Sequence, residues 1–200
     1  MSASPDTRAS LLIRLKDRAD DEAWMEFTEI YRPVIHRLAR RKGLQNADAE
    51  DLVQHVLTAV ARVIGRWQVD PNRAQFRTWL TRVAMNAIVN ALTRGALDRG
   101  SGDSGLQEVL DAQPAPDGPD SQIVRIEHRR EVFRWAARRI RPEFHPATWS
   151  AFWLTAVEGR DPDDVARDLK RSRGAVYAAR SRVMRRLKEK VRDWEGESDV

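Results

Sequence analysis

DPDDVARDLKRSRGAVYAARSRVMRRLKEKVR, residues 161–192, reads as two helices and the turn between them. Asp161 supplies an N-cap oxygen and Pro162 suits the first helical position. Asp163 and Asp164 set negative charge against the positive end of the helix dipole. A short Lys170-Arg171-Ser172 turn comes next, and Ser172 is placed to cap the second helix. Within that helix Val176, Val183, Leu187 and Val191 recur at steps of seven, four and four, so one stripe faces inward. Arg173, Tyr177 and Arg180 fall on a different face near its start, with Arg182, Arg185 and Arg186 farther along. Two helices joined by such a turn, the second rich in arginine, match a helix-turn-helix.

Ten basic residues and a single acid, Glu189, stand between Lys170 and Arg192. The alternative reading is a solvated surface helix, but such a helix intersperses acids for pairing at i and i+4. Their near absence favours a polyanion as partner. Neutralising about 4–6 phosphates would give log affinity against log salt a slope near −4 to −5. One arginine on a base edge would supply roughly 1–3 kcal/mol of discrimination.

Upstream, ATWSAFWLTAVEGR, residues 147–160, predicts one helix stopped by Gly159. The charge of the 200-residue chain, +5, is unevenly spread. Residues 1–94 hold fifteen Lys and Arg against eleven acids, and residues 123–200 hold nineteen against thirteen. Between them, GALDRGSGDSGLQEVLDAQPAPDGPDSQ holds one arginine against six acids. Its Gly, Pro, Ser and Asp content buries too little apolar surface to order the chain, so residues 95–122 read as a flexible acidic linker. The organisation expected is two small helical domains, 1–94 and 123–200, around that linker.

The first domain is helical by the same criteria. In DAEDLVQHVLTAVARVI, residues 48–64, the apolar positions Leu52, Val53, Val56, Leu57, Val60, Val63 and Ile64 recur at three- and four-residue steps, with Asp48 as a plausible N-cap. Trp24, Phe27, Ile30, Tyr31, Val34, Ile35 and Leu38 form a similar stripe. Asp70-Pro71-Asn72 marks a turn, and helix resumes in FRTWLTRVAMNAIVN, residues 76–90. Phe76, Trp79, Leu80, Val83 and Ala87 keep helical spacing there, while Arg77 and Arg82 fall off the stripe. No alternating strand pattern occurs, so the fold class is all-α.

Several functions are disfavoured. With no cysteine there is no disulfide, thiolate metal site or cysteine nucleophile. His36, His55, His128 and His145 share no metal-ligand spacing, and neither a phosphate loop nor a nucleophile motif occurs. Neither an enzyme nor a cofactor is expected. The N-terminus lacks a long apolar stretch behind a basic start, and no apolar run nears the roughly 20 residues of a membrane span. The chain reads as cytoplasmic, with no membrane insertion.

DAEDLVQHVL, the Thr78–Asn86 run TWLTRVAMN, the acidic linker and the terminal helix-turn-helix, in that order, resemble an extracytoplasmic-function (ECF) type sigma factor of the sigma-70 family. The resemblance covers nearly the whole chain and implies a non-enzymatic initiation factor whose partners are core RNA polymerase and promoter DNA, together with an anti-sigma factor or other regulator. Residues 1–94 resemble sigma region 2 and residues 123–200 sigma region 4. The resemblance assigns Asp48, Glu50, Asp51, Gln54, His55 and Thr58 to polymerase binding. It assigns Asn72, Arg73, Phe76, Arg77, Trp79, Arg82, Asn86 and Asn90 to recognising and melting the −10 element. Ser172, Arg173, Tyr177, Arg180, Arg182, Arg185 and Arg186 would read the −35 element. Departures from the family pattern include His55, Ala61, Met85 and Asn90, and Lys170 where a glycine is usual in the helix-turn-helix turn. From the residues alone, a helix-turn-helix regulator that binds duplex DNA without being a polymerase subunit stays open, as does a protein-interaction adaptor.

Overall fold

A computed structural model of the chain describes residues 7–67, 76–94 and 119–195, and among them helix predominates and no strand occurs. The chain divides into two compact units, Met1–Glu131 and Val132–Val200.

The first unit contains α1 (Ala9–Arg14), α2 (Asp21–Arg41), α3 (Asn46–Val63, followed by a 3-10 turn at Ile64–Arg66) and α4 (Phe76–Arg94). Asp20 starts α2 by accepting the Ala23 amide at 2.9 Å. Arg14 grips the same carboxylate from Nε and Nη2 at 2.7 and 2.8 Å and, with the Ala23 amide, holds it below its usual range. Gly43, at φ 103, turns the chain out of α2 in a conformation that side chains disfavour. The expected stripes close on each other: Phe27, Ile30, Tyr31, Val34, Ile35 and Leu38 of α2 and Leu52, Val53, Val56 and Val60 of α3 are all buried. Fully burying a side chain of this size contributes roughly 1.5–3 kcal/mol.

The aromatic rings of α4 complete this core. Phe76 lies 5.9 Å from Phe27 and 5.4 Å from Trp79, which in turn lies 5.0 Å from Trp67. Such pairs add about 0.5–1.5 kcal/mol beyond burial.

A further helix, α5 (Pro119–Ile140), belongs to the first unit through Glu131 and to the second from Val132. Its first half is not apolar where it packs. Arg37 of α2 pairs with Glu127 at 2.7 Å and also with Glu131, Lys42 pairs with Asp120 at 2.7 Å, and the ring of His128 lies 5.3 Å from that of Tyr31. These charges tie 123–131 to α2. Of the expected linker, residues 95–118 lie outside the described residues and 119–122 open α5.

The second unit continues with a 3-10 turn (Arg141–Glu143), α6 (Pro146–Phe152), α7 (Pro162–Asp168) and α8 (Arg173–Glu195). The single helix expected over 147–158 instead widens into a π-turn at Trp153–Val157. There the Thr155 hydroxyl donates to the carbonyls of Ala151 and Phe152 at 2.7 and 3.3 Å, in competition with the regular ladder. Gly159, at φ 71, closes it as expected. Ala151, Val165, Ala166, Val176 and Ala179 form the core, where the alanines let α7 and α8 approach closely. Trp194, at the far end of α8, is buried against Trp135 at 5.2 Å, with the Arg139 guanidinium 4.6 Å over the Trp135 ring.

Candidate functional site

Three helix faces carry the residues singled out in the sequence. On α3 the inward stripe leaves Asp48, Asp51, Gln54, His55 and Thr58 exposed together on the opposite face. The helix begins three residues earlier than an Asp48 cap would set it, at Asn46, with Gln45 before it giving no side-chain cap. Asp48 thus lies within the first turn, where its charge still meets the helix dipole. Glu50 is half-buried and committed within the chain. It accepts from Arg32 at 2.7 Å and lies 3.7 Å from His36 Nε2, and Arg32 foremost holds its carboxyl below the usual range.

The α4 face departs further from expectation. Phe76, Arg77 and Trp79, assigned to DNA by the resemblance, are all buried. The two rings fill the aromatic cluster. Arg77 is 5% exposed and lies close enough to His128 to disfavour its protonation, so its guanidinium faces the interior rather than a strand. His128 is fully buried, and neither ring nitrogen has a hydrogen-bond partner; burial, then Arg77 and Arg129, push its pKa down to about 3. What α4 does offer is Arg82, Asn86 and Asn90, half-buried at four-residue steps along one face. The Arg82 Nη1 is shielded from solvent and has no hydrogen-bond partner. Asn72 and Arg73 lie outside the described residues.

On α8 the caps and stripes form as read. The Ala175 amide donates to Ser172 Oγ at 3.2 Å, and Val176, Val183 and Leu187 are buried. Before it, Asp161 caps α7 through the amides of Asp163 and Asp164 at 2.8 and 3.4 Å. Lys170, in the turn, has φ 52, the left-handed conformation expected where a glycine is usual. Arg180, Arg182 and Arg185 are exposed.

Two of the arginines have acidic partners that the local sequence did not reveal. Arg186 donates from Nε and Nη2 to Glu143 at 2.6 and 3.0 Å, a fork that holds Glu143 below its usual range and ties α8 to the 3-10 turn. That engages two edges of the Arg186 guanidinium within the second unit. Arg173 sets Nε 3.3 Å from Asp163 and its guanidinium 5.6 Å over the Tyr177 ring. The Tyr177 hydroxyl foremost, then Asp163, raise its pKa. No local signal identifies Glu143 as a partner of α8, since 43 positions separate it from Arg186. Asp163 was visible, but as an ordinary first-turn acid.

Elsewhere in the second unit a groove of about 600 Å³ is floored by Phe133, Trp149, Trp153 and Leu154 and edged by Arg134, Arg138 and Arg141. No helix among the described residues is long and apolar enough to cross a membrane.

Residues 27–97 match the family described as sigma-70 region 2. Over 178 residues the chain is 28% identical to the ECF RNA polymerase sigma factor SigE of Mycolicibacterium smegmatis, covering 89% of this chain and 63% of the relative. Over 121 residues it is 26% identical to the ECF RNA polymerase sigma factor RpoE of Cereibacter sphaeroides, covering 56% of this chain and 55% of the relative. The chain thus spans less than two thirds of the length of these curated relatives. The α2–α4 framework with its exposed α3 face coincides with the matched region, and the likeness to SigE extends along most of the chain. Residues 27–97 thus carry a sigma-70 region 2, and the chain is similar over most of its length to an ECF RNA polymerase sigma factor.

Proposed function

We propose that the chain is a transcription initiation factor, without catalytic activity of its own, that binds core RNA polymerase and directs it to promoters. In this reading the exposed face of α3, with Asp51 and Gln54 at its centre, docks on polymerase. Arg82, Asn86 and Asn90 of α4 meet the opened strand of the −10 element, supported from behind by the buried Phe76 and Trp79. The start of α8 enters the major groove at the −35 element, with Arg173, Tyr177 and Arg180 toward base edges and Arg182 and Arg185 toward phosphates. Residues 1–94 and 123–200 are proposed as the polymerase and upstream-DNA modules, and an anti-sigma factor as the regulator.

The observation that carries the reading is the division of labour on α8. Its apolar stripe is buried while Arg173, Tyr177, Arg180, Arg182 and Arg185 stay exposed. A helix whose outer face is cationic near its N-terminus suits insertion between phosphate backbones.

The test is run-off transcription by bacterial core polymerase with and without the chain, on a library of promoter templates. Chain-dependent transcripts from a defined subset are expected. If the chain binds duplex DNA yet neither binds core nor redirects initiation on any template, it acts as a stand-alone helix-turn-helix regulator and the proposal fails.

A further inference from the structure

The first arginine of α8 is held, and the way it is held carries chemical information. Asp163 approaches Nε of Arg173 at 3.3 Å, the inner edge of the guanidinium. Tyr177 lies under the planar face, and its hydroxyl oxygen is 3.5 Å from Nη2, a long contact that another acceptor can replace. Despite both partners the Arg173 side chain is 62% exposed. An ion pair this exposed adds little to folding stability, so its consequence lies in where it leaves the guanidinium.

A guanidinium presents its N–H groups as a rigid planar fork. With the Asp163 carboxylate in ion-pair range of the Nε edge, the terminal nitrogens are the ones left to two acceptors lying side by side. In the major groove guanine offers such a pair, O6 and N7, whereas adenine sets a donor beside its acceptor. Resting on the reading of α8 as the duplex reader, we propose that Asp163 is a positioning residue that holds Arg173 by its Nε edge so that the terminal fork selects guanine at one base pair.

The neighbouring acids do not share this role. Asp161 is occupied in capping α7, and Asp164 pairs with Arg167. Asp163 also sets a negative charge on an otherwise cationic face, where it weakens attraction to any phosphate backbone. It therefore lowers affinity for arbitrary duplex while raising selectivity.

The test is enrichment and sequencing of duplexes from a randomised pool by the full chain, alone and with core polymerase, for wild type, Asp163→Asn, Asp163→Glu and Arg173→Ala. Wild type is expected to prefer guanine on the order of tenfold at one position, and Asp163→Asn to reduce that to about threefold. Asp163→Asn should also bind the unselected pool more tightly. Asp163→Glu should retain the guanine preference, and Arg173→Ala should abolish it at that position alone. If Asp163→Asn keeps the preference at full strength, the inference is overturned while the reading of α8 stands. If wild type enriches no sequence, with or without core polymerase, that reading fails and the inference with it.

Discussion

Lowering the pH should loosen the hold of α5 on the first unit through one residue, His128. Its imidazole is fully buried beside the Tyr31 ring, has no hydrogen-bond partner, and is flanked by the charges of Arg77 and Arg129. Burial and the two arginines push its pKa from an ordinary 6.5 down to about 3. The folded pKa lies below the unfolded one, so folding excludes a proton. The associated stability is complete above pH 6.5 or so and is lost as pH falls toward 3. At pH 5 the unfolded chain holds the proton and the folded one does not, a loss of about 2 kcal/mol relative to neutral pH. Hydrogen exchange of the amides of residues 124–131, read by mass spectrometry at pH 7 and pH 5 after correction for intrinsic rates, measures it locally. His128→Phe keeps a ring against Tyr31 and removes the titration, and His128→Leu does the same with a smaller side chain. In either variant the pH 7 to pH 5 loss should shrink by about 2 kcal/mol. At pH 7 the variant should be no less stable, because a buried N–H without a partner is removed. Only residue 128 differs between wild type and variant, so the difference in their losses isolates the histidine. Equal losses in wild type and both variants would refute the reasoning.

Relieving the left-handed turn by Lys170→Gly should stabilise the second unit by about 1 kcal/mol, the strain of an L side chain at φ 52 less the entropy of glycine. A fall in its thermal midpoint would mean that the side chain itself stabilises the turn. Arg186→Ala should weaken DNA binding less than Arg182→Ala, since Glu143 holds Arg186 in a fork, and titration against duplex DNA at several salt concentrations reads the difference. Equal losses would show that Arg186 leaves Glu143 for a phosphate. Asp51→Arg, on the exposed face of α3, should impair binding to core polymerase by tenfold or so while leaving duplex affinity unchanged, as pull-down and anisotropy would show. Parallel loss of both would point to misfolding rather than to a lost docking contact.

The helical stripes and caps were legible because they are set by neighbours within a turn or two. Asp161 caps α7 and Ser172 caps α8 from the adjoining position, and Val176, Val183 and Leu187 face one way by spacing alone. Lys170 was legible too, since the turn dictates its backbone whatever residue occupies it. The α4 helix was not. A stripe reading left Arg77 outside, yet the buried arc includes Phe76, Arg77, Trp79, Leu80, Thr81, Val83, Ala84 and Ile88. An arc that wide arises where a helix is covered on more than one side, and which elements cover it is a property of the tertiary fold. The ion pairs between Arg37 and α5 are hidden for the same reason, since Arg37 and Glu131 are separated by 94 positions.

Charge shows the limit most clearly. Read along the chain, Lys170 to Arg192 hold ten cations and a single acid, which is what pointed to a polyanion. In the folded second unit further acids arrive from other elements: Glu143 from the 3-10 turn takes Arg186, and Asp163 from α7 lies 3.3 Å from Nε of Arg173. Lys190 is drawn over the Trp135 ring, 5.5 Å from its centroid. The exposed cations that remain, Lys170, Arg171, Arg180, Arg182, Arg185 and Lys188, are fewer than the sequence count but better placed. They concentrate on the turn and the outer face of α8, while the paired ones brace the helix that presents them. A sequence reports how many charges a helix carries, whereas only the fold decides which of them a nucleic acid can reach.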